Sequence, residues 1–171
     1  RLLDYPAYFD LLSLDLPSDK EKILAALEAD GMITSCRTGN YNITNLGAIL
    51  FAKRLSDFPS LERKSIRVIK YNSNNKMSAS REHVVNKGYA NGFEGLITYI
   101  NSIVPHNEIM GEALRKDVPM YPELVVRELV ANAIIHQNFF VHGTSRRIKF
   151  FPFEWEFIIP VAPFLKKKVF F

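Results

Sequence analysis

The chain has 171 residues, 47% of them hydrophobic and 23% charged, which is ordinary for one globular domain or two small lobes and excludes a disordered or fibrous composition. Its 22 Lys+Arg against 18 Asp+Glu give a net charge of +4, which permits nucleic-acid contact without the concentrated basic stripe of a dedicated binder. The single cysteine, Cys36, excludes an intramolecular disulfide and a cysteine-based zinc site, and no apolar run approaches the roughly 20 residues of a membrane-spanning helix. A cytoplasmic protein with no membrane partner is the expectation. The start at Arg1, without an initiator methionine, reads as a piece of a longer chain.

In chain order, "SDKEKILAALEADGMI" predicts a helix over 19–30. Ser18 is its N-cap and Glu21 completes a capping box, Ile23, Leu24 and Leu27 share one face, and Gly31 is the stop. "TSCRTGNYNIT" predicts two short strands about a Gly39-Asn40 turn, and Thr44 caps a second helix over 44–54. Helix, hairpin, helix is the order of a winged-helix-like segment, placed at residues 1–64, in which a hairpin sits beside a DNA-reading helix. The competing reading makes "LGAILFA" core, with Lys53 and Arg54 completing the helix C-terminus.

"SIRVIKY" predicts a strand over 65–71, followed by a polar, loop-rich connection over 72–92 that could serve as hinge or linker. "FEGLITYINSIV" predicts a helix over 93–104, with Phe93, Leu96, Ile97, Ile100 and Ile103 on one face and Pro105 at its end. A further helix is expected over 122–137, with Pro122 in its first turn. "RRIKFFPFEWEFIIP" reads as a strand over 147–158, in which Phe151, Phe153, Trp155 and Phe157 alternate with Glu154 and Glu156. The sum is an α+β assembly.

Most catalytic motifs are missing. There is no GxxxxGK[ST] loop, so P-loop ATPases and helicases find no support. His83, His106, His136 and His142 lack HExxH spacing. Ser78, Ser80 and Cys36 stand outside any nucleophile motif.

What remains is "RELVANAIIHQNF", residues 127–139, where Glu128, Asn132 and His136 interrupt an apolar helix every fourth position. A four-residue step turns a helix by only about 40°, so the three form one slowly drifting stripe with a shared target. Buried without partners, such groups would cost about 1–3 kcal/mol each, so the stripe must meet water, partners, a metal or a ligand.

"YPELVVRELVANAIIHQNF" resembles the N-box helix of the GHKL, or Bergerat-type, ATPase fold. The variant it resembles is that of Schlafen AlbA-type transcriptional regulators, also labelled RecG-like. "LLDYPAYFDLL", "ILAALEADGMI", "YNITNLGAILFAK", "RKSIRVIKY" and "KGYANGFEGLITYI" extend the resemblance along the chain. It implies a partial GHKL-type module over 65–171 that takes ATP and Mg²⁺. Glu128 would be the catalytic base, Asn132 the magnesium ligand and part of the nucleotide site, and His136 a flank of the pocket. It also implies DNA as a partner, chiefly through an N-terminal domain outside this sequence.

Three departures qualify this implication. Asn138 stands where the family has an acidic residue. Ile159 and Val161 replace the Asn and Gly of a pocket-walling turn, and β-branched Val161 resists the positive φ that glycine allows. The chain also ends at Phe171, ahead of the strands and glycine-rich lid of a complete ATPase. The expectation is therefore a DNA-associated regulator whose nucleotide module is degenerate or incomplete, with no binding or only weak binding of Mg-ATP. The alternatives are an active Mg-dependent ATP hydrolase, and a structural or homo-oligomerising module in which the stripe pairs within the protein.

Overall fold

Gly31, at φ +70°, ends helix α2 (Lys20–Ala29) and turns the chain into a hairpin of β1 (Ile33–Ser35) and β2 (Tyr41–Ile43). In this computed structural model, which describes residues 1–73, 79–110, 115–139, 141, 146–152, 154–158 and 168–170, the chain divides into two units. One comprises residues 1–65 and 85–93, the other residues 66–84 and 94–171.

In the first unit the cap of α2 is Asp19, not Ser18: its carboxylate accepts from the Glu21 amide at 3.0 Å. An aspartate one residue nearer the helix reaches the free amide directly. The hairpin pairs Ile33 with Ile43 around Gly39, at φ +77°. Thr44 caps α3 (Asn45–Phe51) by accepting from the Gly47 amide at 3.0 Å.

Helix α3 stops at Phe51, short of the expected 54, because the chain next pairs with the N-terminal segment. Ala52 bridges Leu3, and the Lys53 amide donates to Leu2 O at 2.9 Å. Lys53 and Arg54 therefore lie beyond the helix and do not complete its C-terminus. Gly47, Ala48, Ile49 and Phe51 are buried, and Gly47 packs so tightly on the Met32 carbonyl that a Cβ would collide with it. These four follow the core reading of "LGAILFA", whereas Leu46 is exposed. An additional helix, α1 (Tyr5–Leu11) with Pro6 in its first turn, brings Tyr8 and Phe9 onto Leu27, Met32, Ile33 and Phe51.

The second unit is built on a five-stranded sheet with the order β4 (Ala79–Val85), β3 (Ile66–Tyr71), β7 (Arg146–Phe150), β8 (Glu154–Ile158), β9 (Lys168–Phe170). β3 and β7 run parallel, Lys70 level with Phe150, while β7–β8 and β8–β9 are antiparallel. A parallel pair needs a long crossover. Between its strands lie α4 (Tyr89–Ile103), a separate hairpin of β5 (His106–Met110) and β6 (Arg115–Pro119), and α5 (Glu123–Ile135). Val68, Leu96, Ile97, Ile100, Val126, Val130 and Ile148 are buried almost completely.

The connection over 72–92 is not loop throughout, since it holds β4 and the start of α4. β4 is an edge strand, exposed at nearly every residue, so its side chains are polar on both faces and give no period-two signal. The single strand over 147–158 is two strands. Pro152 lies in the connection between them, and the Phe151 amide donates to Glu154 O at 2.9 Å, so the aromatic alternation crosses a turn. Trp155 then sits level with Phe150, and Glu156 with Lys149. The chain is α+β, and among the described residues no helix is long and apolar enough to cross a membrane.

Candidate functional site

Helix α5 is the element that carries the stripe, and three contacts within the second unit hold it. Just before it, Tyr121 packs edge-on against Trp155 of β8, with centroids 4.7 Å apart. Just after it, the Arg146 Nε of β7 donates to Gln137 Oε1 at 2.6 Å, with both side chains buried. Along its flank, Arg127 forks onto Glu94 of α4 through Nη1–Oε2 at 2.7 Å and Nη2–Oε1 at 2.6 Å. That contact holds the Glu94 carboxyl below its usual range, mainly through the hydrogen bond and against the opposing effect of desolvation.

Val126 and Val130, one turn apart, are fully buried and define the inward face of α5. Glu128 and Asn132 lie on the opposite side, and both are exposed. The helix ends at Ile135, within the expected 122–137. His136 is thus the C-cap residue, exposed, with its amide donating to Asn132 O at 3.0 Å. The side chains of Glu128, Asn132 and His136 make no hydrogen bond or ion pair with another described residue. Apolar side chains share this surface: Leu124 and Ile135 are 69% and 68% exposed.

A solvent-facing carboxylate, amide and imidazole on successive turns offer a base, an oxygen ligand and a hydrogen-bonding flank. Asn132 supplies one neutral oxygen, so a magnesium ion there would draw its remaining ligands from phosphate and water. Among the described residues no group of three or more His, Cys, Asp or Glu is placed to hold a metal alone. Asn138, just beyond the helix, is half-buried, and Ile159 and Val161 lie outside the described residues.

Cys36 is half-buried in the hairpin turn of the first unit. Ser80 lies in β4 and donates to Lys70 O at 3.2 Å, and His83 stacks on Tyr99 at 4.3 Å. His106 falls in β5, whereas Ser78 and His142 lie outside the described residues.

A cavity of about 250 Å³ opens where β3 and β7 end, lined by Lys70, Tyr71, Asn72, Ile103, Pro105, Phe150, Phe151 and Pro152. Nothing in the sequence could announce it, because the parallel register joins segments that are 80 residues apart in the chain.

No protein-family model matches the chain, and no curated protein matches it. Among solved structures, the chain is similar to the crystal structure of the DIP2311 protein from Corynebacterium diphtheriae, at 19% identity and a TM-score of 0.53. The match covers 86% of this chain and 37% of that one, so the chain spans well under half of the longer protein, and the likeness is one of α+β fold alone.

Proposed function

We propose that this chain is the central part of a DNA-associated transcriptional regulator, and that its second unit is a GHKL-type nucleotide-binding module with the outer face of α5 toward the nucleotide. The observation that carries the reading is the exposed stripe of Glu128, Asn132 and His136, whose side chains have no hydrogen-bond or ion-pair partner among the described residues, on a helix whose other face is core. A polar stripe kept for structure pairs within the protein, as buried polar groups do. This one is held outward by contacts at both ends and on one flank of its helix.

In this reading Asn132 would be the residue that holds Mg²⁺, which would neutralise phosphate charge, Glu128 would act as the base toward water, and His136 would border the pocket. Ile159 and Val161 stand in the sequence where the resemblance expects Asn and Gly, and a β-branched residue in place of glycine disfavours a positive φ, so low affinity and negligible turnover are expected. Calorimetric and NMR titration with Mg-ATP is therefore expected to give weak binding that perturbs the α5 amides and disappears in Asn132→Ala, with phosphate release at background. Unperturbed α5 amides at millimolar Mg-ATP would sink the reading. Tight binding with phosphate release, abolished by Glu128→Gln, would replace it with an active ATP hydrolase.

A further inference from the structure

The connections leaving β3 and β7 diverge. The chain leaves β3 toward β4 on one side of the sheet and leaves β7 toward β8 on the other, although the two strands are parallel neighbours. In open α/β sheets a crevice outside the carboxyl ends of the strands at such a reversal is where ligands bind, because no connection crosses it. The 250 Å³ cavity lies at this position, between residues 70–72 and 150–152, with Ile103 at the end of α4 and Pro105 just beyond it contributing to the wall.

We propose that this cavity is a binding site for a small planar aromatic carboxylate, separate from the stripe on α5. Its size suits a single ring bearing one acidic group, since an apolar cavity of about 150 Å³ already accommodates benzene. Its lining suits a ring as well: Tyr71 and Phe151 stack with centroids 4.7 Å apart and planes 6° apart, and Phe150, Ile103 and the two prolines supply further apolar surface. Lys70 supplies the complementary charge. Its Nζ donates to Ile103 O at 2.8 Å, which fixes the ammonium at the carbonyl end of α4, and among the described residues its two other N–H groups meet no acceptor, so they can serve a ligand. A carboxylate held there gains a charge-assisted hydrogen bond that a neutral hydroxyl does not.

The intact chain carries its own reporter. Trp155 is the sole tryptophan, and its ring lies 4.4 Å from that of Phe150 in the cavity wall. Benzoate titrated into the protein is expected to change Trp155 fluorescence saturably and to shift the amides of Lys70, Tyr71, Asn72 and Phe151. Benzyl alcohol, of the same shape without the charge, should bind at least about tenfold more weakly, the equivalent of one charge-assisted hydrogen bond. Lys70→Met should erase that preference and Lys70→Arg retain it, with unfolding curves confirming that both variants fold. The wild-type comparison of the two probes stands even if a variant does not fold. Absence of saturation by benzoate, amide shifts confined to other residues, equal affinity for the two probes, or a preference that survives Lys70→Met would each overturn the proposal.

Discussion

Tyr8 is the residue whose surroundings determine its chemistry most visibly. Its ring is buried between Phe9 and Phe51, and its hydroxyl donates to Asp30 Oδ2 at 2.7 Å, so α1 is tied to the C-cap of α2. Burial, and then the hydrogen bond to Asp30, push the phenol up from 10.0 to about 12. A folded pKa above the unfolded one means that the stabilisation is complete below pH 10 and is lost as pH rises toward 12, where the unfolded chain ionises first. Tyr8→Phe should therefore cost about 1 kcal/mol at neutral pH, because exposed Asp30 rehydrates freely. The variant should also lack the wild type's fall in stability across that alkaline window. Urea unfolding at neutral pH and along the alkaline limb measures both, and an identical alkaline loss in the variant would assign the effect elsewhere.

Among elements, α5 is the one whose position matters most, and its side contact with α4 is open to titration. Arg127 is held by Glu94 and stands 4.0 Å from Glu123 one turn earlier, so the helix carries its own weaker second anion. Since Glu94 titrates below its unfolded value, the clamp contributes above the ordinary glutamate range and is lost as pH falls through the depressed folded pKa. A double-mutant cycle of Glu94→Gln and Arg127→Met is expected to show favourable coupling at neutral pH, modest because both side chains are substantially exposed, and none in acid. Coupling that persists unchanged after Glu94 protonates would show that packing of the two stems, not charge, joins the helices. The helices were also the elements most legible beforehand, because Leu96, Ile97, Ile100, Val126 and Val130 recur at the helical period. Strands β4, β5 and β6 were not. β4 is polar on both faces, and "HNEIM" and "RKDVP" carry no alternation that marks them as partners.

Over the whole molecule, charge is dispersed and net +4, and α3, the helix beside the hairpin, buries Gly47, Ala48, Ile49 and Phe51 in the first unit. Duplex DNA should therefore bind this chain weakly and without sequence preference, through phosphate contacts whose affinity falls linearly on a logarithmic salt scale. Fluorescence anisotropy with unrelated labelled duplexes at several salt concentrations tests this. Tight, selective, salt-insensitive binding would contradict it and assign base reading to this chain itself.

Local chemistry in the sequence determined a good deal. The period of the helices, the Gly31 stop, the Thr44 cap, the Gly39 turn and the shared face of Glu128, Asn132 and His136 all follow from interactions within a few residues of one another. The tertiary structure decided what depends on distant partners. α3 ends where Leu3 captures Ala52, the aromatic run breaks into β7 and β8, and the stripe turns outward because Val126 and Val130 claim the core. The cavity belongs to this second class as well: Lys70 and Phe151 acquire a common wall only when β3 and β7 align, and sequence spacing cannot specify a strand register formed across a long crossover.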